Sequence, residues 1–273
     1  MTTVPTWVSI AEQFTDPAET RFELAPAADQ SSDELTMEMP IGRWRTPATG
    51  ALSAGLLAML VDSAGGTANF LAYGADRVTV TTELSVDLLV PLPSGRVARS
   101  SGRTVARDGA TAMARSTITV DGAEVGHGIV RTAALGGMTP LDGLPEDTVE
   151  GSDRDDLVRM LGLGGPVDGD HDAVAALADP CLQNGVGIVH GGIIVAAAET
   201  VAAATMNRSR EVSLATGSIR ANYLRPMAVG GEARYEARIL RAGRSTAIVD
   251  VTAVGADGKA AAVVRVTGYA PGR

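Results

Sequence analysis

The chain has 273 residues, of which 45% are hydrophobic, 20% charged and only 3% aromatic, and it carries a net charge of −9. This is a globular composition with room for one large or two small domains, whose core must be built from Ala, Val, Leu and Ile. The negative balance argues against nucleic acid or an anionic membrane as the main partner, and a single cysteine, Cys181, excludes an intramolecular disulfide and fits a cytoplasmic location.

The first residues show neither a basic n-region nor an apolar h-region, so no signal peptide is expected; residues 1–20 read as a helical lead-in. A strand-like run follows at residues 34–41. From Gly50, the segment GALSAGLLAMLVDSAGGTANFLA predicts a long helix over residues 53–73 that is apolar nearly all round and therefore buried. Alternating runs separated by Gly and Asp turns come next. Residues 136–172 are rich in Gly, Asp and Pro and read as a linker, with one short amphipathic helix over residues 153–163 capped by Ser152 or Asp153. A second strand–helix–strands series then begins. It has a strand at residues 173–178, a helix over residues 190–206, and alternating runs at 213–224, 231–241, 246–256 and 260–269.

The two series are copies of one unit. Gly50, Gly55 and Asp62 stand in the same order and at the same spacing as Gly187, Gly192 and Glu199. The segments VDLLVPLPSG and ARDGATAMARSTITVDG of the first copy are answered by ANYLRPMAVG and LRAGRSTAIVDVTAVGADG of the second. Any one match could be chance; the whole ordered series is a duplication. The division expected is a first unit at 1–135, a linker at 136–172 and a second unit at 173–273. The fold class is α+β: each unit an antiparallel sheet wrapped around one long helix.

One helix in such a sheet, entered through Asn184, five residues, then His190-Gly191-Gly192, with Glu199 further on, resembles the hotdog-fold acyl-CoA thioesterases, in particular their phenylacetate-type branch. The run NYLRP at 222–226 adds to the likeness. The first copy departs from the pattern: Pro47 stands in place of the Asn, Ser53 of the His and Ala54 of the Gly, while the acid Asp62 is kept. The resemblance implies a double hotdog that hydrolyses an acyl-CoA, with coenzyme A as part of the substrate and no separate cofactor.

Thioester hydrolysis requires a polarised carbonyl and a water that is aimed and deprotonated. Gly191, at a helix N-terminus, can offer its free N–H and the positive end of the helix dipole, and a glycine there allows a close approach to the backbone. Asn184 can add a donor or place a water; His190 can cap the helix or donate to the carbonyl. Asp62 and Glu199 are both candidates for the catalytic acid, and helix geometry bears on how each is used. Nine residues separate His190 from Glu199, so on one helix the two lie roughly 13 Å apart and on opposite sides. Two antiparallel helices side by side, as in hotdog dimers, instead bring the acid of one unit to the loop of the other. The expected site joins Asn184, His190 and Gly191 to Asp62, with Thr81 implied by the resemblance as a second holder of the water. A mirror site would contain Glu199 and Thr216 and lack the polarising groups, so one competent site per chain is expected.

Coenzyme A carries phosphates, and the basic residues of the second copy, among them Arg220, Arg225, Arg234, Arg238, Arg241 and Arg244, are candidates to meet them; Arg220, Arg225 and Arg244, with Gly192 and Thr216, are taken as substrate-binding. No dinucleotide fingerprint, nucleophile elbow or metal-ligand spacing is present. Two alternatives stay open: an acyl-CoA binding protein without hydrolysis, which the degenerate first copy favours, and a hotdog dehydratase or hydratase, which the absence of a His near Asp62 in the sequence disfavours. A homodimer of double-hotdog chains is possible.

Overall fold

Two long apolar helices form the centre of the protein. In the computed structural model, which describes residues 16–271 apart from residues 32, 75–76, 137–140, 142 and 229, they are α2 (Ala54–Tyr73) and α4 (Gly191–Asn207). Both begin at a side-chain cap. Ser53 Oγ accepts the Leu56 N–H at 3.2 Å, and His190 Nδ1 accepts the Gly192 N–H at 2.9 Å; a cap of this kind is worth about 1 kcal/mol. Their Ala-, Leu- and Val-rich surfaces are buried along most of their length, as all-round apolarity requires. α2 is long and apolar enough to cross a membrane, but 78% of that stretch is buried inside the protein, where it is a core helix.

The first unit is completed by the short helix α1 (Pro17–Arg21) and by strands β1 (Ala25–Pro26), β2 (Leu35–Pro40), β3 (Val78–Leu88), β4 (Val97–Arg107), β5 (Thr111–Val120) and β6 (Ala123–Leu135). The second has the four-residue helix α3 (Leu157–Met160), then β7 (Leu163–Val167), β8 (Asp170–Ala176), and, after α4, β9 (Ala215–Tyr223), β10 (Arg234–Ala242), β11 (Thr246–Val254) and β12 (Ala260–Tyr269). All twelve join one antiparallel sheet in the order β1-β2-β4-β5-β6-β3-β9-β12-β11-β10-β8-β7. Read from either edge, the order is the same once each strand is exchanged for its counterpart, so the two units are related by a pseudo-twofold axis. The axis passes through the β3–β9 seam, where Ser85 faces Arg220 in the middle of the paired stretch.

The sheet curls around the helix pair, α2 against β2–β6 and α4 against β8–β12. The helices run antiparallel and touch at two glycines. A Cβ on Gly55 would lie 2.7 Å from Ala196 Cα, and one on Gly192 would lie 2.7 Å from Met59 Cα. These are symmetric notches that let the two backbones come together, and they fix which residues face each other across the pair.

The short helix expected over residues 153–163 is divided in two. A 3-10 turn (Gly151–Asp155) ends at Asp156, whose carboxylate caps α3 through the Val158 and Arg159 N–H groups. The second sheet also starts earlier than expected: β7 lies inside the stretch read as linker, and β8 begins there at Asp170 and runs into the strand expected at residues 173–178; the two are joined by a tight turn in which Asp168 (φ 51°) and Gly169 (φ 78°) both adopt positive φ. Of the expected helical lead-in, residues 17–21 are helical, and residues 1–15 lie outside the described residues.

Candidate active site

The antiparallel helix pair brings the acid of each unit to the N-terminus of the other unit's helix. Asp62, 5% exposed on the third turn of α2, meets the first turn of α4. A Cβ on Gly191 would stand 2.8 Å from Asp62 Oδ2 and 3.3 Å from the Tyr223 hydroxyl. Glycine at 191 is thus required by the carboxylate itself, and only secondarily by an approaching ligand. Thr81 on β3 donates its hydroxyl to Asp62 Oδ1 at 2.7 Å, which fixes one carboxylate oxygen and leaves the other toward Gly191. Burial raises the Asp62 pKa; the His190 charge, the Thr81 hydrogen bond and the Gly192 N–H oppose the rise, and the Glu19 charge adds to it.

His190 is the N-cap of α4 and is 7% exposed. Its Nδ1 is 3.8 Å from Asp62 Oδ2, and its Nε2 faces Glu19 Oε1 at 3.8 Å and Asp16 Oδ2 at 3.9 Å. Burial lowers its pKa, but the Asp16 charge, hydrogen bonding to Glu19 and the Asp62 charge outweigh that and raise it. Asn184 begins the tight loop before α4: its Oδ1 accepts the Val186 and Ile188 N–H groups at 3.1 and 3.3 Å, which leaves its amide N–H2 to turn toward a ligand. Tyr223, at the end of β9, donates to the Gly191 carbonyl at 2.9 Å. Burial, together with the Asp62 charge, raises its pKa, so the phenol is held as a donor.

These groups line one cavity of about 710 Å³, which extends from the α4 N-terminus along α2 and the exposed half of β3. Asp62, Thr81, Asn184, His190, Gly191 and Arg225 are all on its wall, as are Asp16, Glu19 and Tyr223, which the sequence did not single out. The far part, between Gly66, Phe70, Leu71, Val80 and Ala133, is largely apolar. A cavity of this size and character suits an organic ligand with a polar end.

The other expected residues are placed differently. Glu199 and Thr216 form the mirror pair: Thr216 donates to Glu199 Oε1 at 2.6 Å, the Gly55 N–H also reaches this carboxylate, and Oε2 is buried with no hydrogen-bond partner among the described residues. Glu199 is 1% exposed and lies outside the cavity, so Thr216 is a carboxylate partner and not a substrate contact. Gly192 is likewise not a substrate contact; it is the notch that receives Met59. Arg220 is committed to the seam, where it forms a bidentate pair with Asp87 at 2.8 and 2.9 Å and donates to the Val86 and Ile219 carbonyls. Arg244 is exposed in the β10–β11 turn, outside the cavity wall. Asp16, Glu19 and His190 are also of the right types and spacing to ligate a cation. The cap argues against it: a cation on Nε2 would require the ring proton on Nδ1, where the Gly192 N–H already donates.

Comparison with known proteins agrees with this architecture. Residues 186–262 match the protein-family model "Thioesterase superfamily". Among solved structures, the tesB protein of Mycobacterium avium subsp. paratuberculosis is similar over 93% of this chain and 98% of its own, with a TM-score of 0.62 at 12% identity. An acyl-CoA thioesterase II from Mycobacterium marinum is similar over 94% and 98%, with a TM-score of 0.59 at 13% identity. A hot dog fold protein of unknown function from Alicyclobacillus acidocaldarius also covers 94% and 98%, at 0.57 and 14%. No curated protein sequence matches the chain. At these identities the structures speak for the fold over nearly the whole chain, and the family model speaks for the second unit. Together they show a double-hotdog fold over nearly the whole chain, with a thioesterase-superfamily match confined to residues 186–262 of the second unit.

Proposed function

We propose that the chain hydrolyses acyl-CoA thioesters at one composite site, built from the acid of the first unit and the helix N-terminus of the second. The observation that carries this reading is the buried Asp62 carboxylate set against Gly191 in the wall of the 710 Å³ cavity.

In this reading the thioester carbonyl oxygen lies at the first turn of α4. The Gly191 N–H and the helix dipole stabilise the charge that develops on it, and Asn184 supplies a second N–H. A water held by Asp62 attacks the carbonyl carbon and gives its proton to the carboxylate. The raised pKa of Asp62 makes it a stronger base than an exposed aspartate. The tetrahedral intermediate then collapses, the C–S bond breaks, and the proton on Asp62 passes to the departing thiolate. The products are a free acid and coenzyme A. Thr81 keeps the carboxylate aimed, and Tyr223 holds the Gly191 peptide through its carbonyl. The apolar reach between α2 and β3 takes the acyl group, and Arg225 at the cavity wall is placed to meet the phosphates of coenzyme A. Because both helices come from one chain, the site needs no second copy.

Release of free thiol from a panel of acyl-CoAs tests the reading. Asp62→Asn should lose about 10²–10⁴-fold in turnover, whereas Glu199→Gln should keep most of it. The reverse pattern would refute the composite site. Tight acyl-CoA binding with no thiol release would make the chain a binding protein.

A further inference from the structure

Helix α1 belongs by sequence to the first unit but is docked on the loop that leads into α4. The Ala18 N–H donates to the Gln183 carbonyl at 3.1 Å. Arg21, 2% exposed, is clamped between the carboxylates of Asp147 and Asp179. Phe22 packs edge-on against Trp44 at 5.2 Å. This anchoring holds Asp16 and Glu19 beside His190 Nε2, where neither would be brought by the hotdog units alone.

The carboxylates around His190 raise its pKa and favour a second ring proton, but the cap of α4 leaves no place for one on Nδ1. Nδ1 accepts the Gly192 N–H at 2.9 Å and must be bare. The proton of a neutral ring is then on Nε2, facing two carboxylates. A ring protonated on Nδ1 would set N–H against N–H, and a ring turned over would set its Cδ2–H there; either opens the cap of α4. Among the described residues, the charged and titratable groups facing this ring are Asp16 and Glu19 from α1 and Asp62 from α2, with Tyr223 of β9 and Arg225 on the same wall.

We propose that Asp16 and Glu19 are positioning residues: from α1 they hold His190 as its Nε2–H tautomer, which keeps the α4 cap closed and leaves the Gly191 N–H free for the substrate carbonyl. The N-terminal helix is therefore part of the active-site machinery. The inference rests on the proposed role of the α4 N-terminus, but its first test does not use activity. The chain has three histidines, and His127 and His171 are exposed, so His190 can be followed in the imidazole ¹⁵N spectrum of the whole protein. At neutral pH, His190 should show one bare and one protonated nitrogen, with Nδ1 bare. An Nδ1–H tautomer, or a ring protonated on both nitrogens, would overturn the proposal.

The double variant Asp16→Asn with Glu19→Gln keeps the α1 cap, since Asn caps as well as Asp. It should move the His190 signals toward a mixture of tautomers and lower kcat roughly 10- to 100-fold, with KM changing much less. Unchanged signals, or a kcat within about twofold of the parent, would refute it. Should the double variant fail to fold, Glu19→Gln, which removes no cap, reads the same signals. If the parent protein releases no thiol from any acyl-CoA, the proposed function fails while the tautomer measurement still decides this inference.

Discussion

Glu199 offers a quantitative check on the energetics of the helix pair. Its carboxylate is fully buried on α4, with the Thr216 hydroxyl and the Gly55 N–H on one side and, on the other, an Oε2 that has no partner among the described residues. Burial raises its pKa from 4.5 to about 6, against the smaller opposing effects of those two donors. Because the folded pKa exceeds the unfolded one, the native state binds more protons in the window between 4.5 and about 6. Stability therefore falls as pH rises through that window. A difference of about 1.5 units at 1.36 kcal/mol each gives a deficit of about 2 kcal/mol, complete above the folded pKa. Roughly 1 kcal/mol of it develops between pH 5 and pH 8. Glu199→Gln carries no ionisation cost at any pH. Its neutral amide has its own cost for an unpaired donor, but that cost does not vary with pH. The quantity to measure is the stability of the variant minus that of the parent, from urea unfolding at pH 5, 6, 7 and 8. All other titrating groups cancel in this difference. It should move in favour of the variant by roughly 1 kcal/mol across the series. A difference that stays flat, or that moves toward the parent, would refute the assignment of a buried, destabilising charge.

Two neighbouring glycines should respond in opposite ways. Gly191→Ala puts a methyl 2.8 Å from Asp62 Oδ2, so it should abolish thiol release while the thermal midpoint stays within a few degrees, because the displaced group borders a cavity. Gly192→Ala drives its methyl to within 2.7 Å of the Met59 backbone, and should cost about 1–3 kcal/mol in urea unfolding by forcing the helices apart. Thr81→Val deletes a hydrogen bond that lowers the Asp62 pKa. It should lower kcat about tenfold and move the acidic limb of the pH–rate profile to higher pH; an unmoved limb would show that Asp62 is not the base being titrated.

The parts of the protein legible from sequence were those set by short-range rules or by duplication. The bounds of α2 and α4 follow from Ser53 and His190 as caps on runs with no polar face. The meeting of Asp62 with Gly191 followed from helix arithmetic joined to the hotdog resemblance, which implies two antiparallel helices side by side. What escaped depends on distant pairs. Arg220 was taken for a phosphate contact because its partner, Asp87, lies across a seam whose register the sequence does not state. Asp16 and Glu19 sit in a segment without periodicity, and their partner is more than 170 residues away. Tyr223 was in view within NYLRP, but its hydroxyl reaches the site only after β9 is paired. β7 and its turn into β8 were hidden by composition, although Asp168-Gly169 is itself a hairpin-turn signal.

The symmetry of the fold makes the asymmetry of the two acid sites informative. Each acid accepts a strand threonine hydroxyl and an N–H from the first turn of the opposite helix: Thr81 and Gly192 for Asp62, Thr216 and Gly55 for Glu199. A carboxylate at a helix N-terminus is worth up to about 2 kcal/mol in a partly buried setting. That offsets much of the burial cost, so both acids can be retained for packing alone. Catalysis demands more, namely space for a carbonyl beside the helix and a backbone the carboxylate can touch. At the Asp62 end, Gly191 has no side chain and the cavity reaches the helix. At the Glu199 end, Ala54 keeps its methyl, Ser53 replaces the imidazole, and the carboxylate is sealed off at 1% exposure. In the proposed reading, the same duplicated frame serves as a reaction site at one end of the helix pair and as a structural clasp at the other. The groups around each acid, and not the acids themselves, decide which is which.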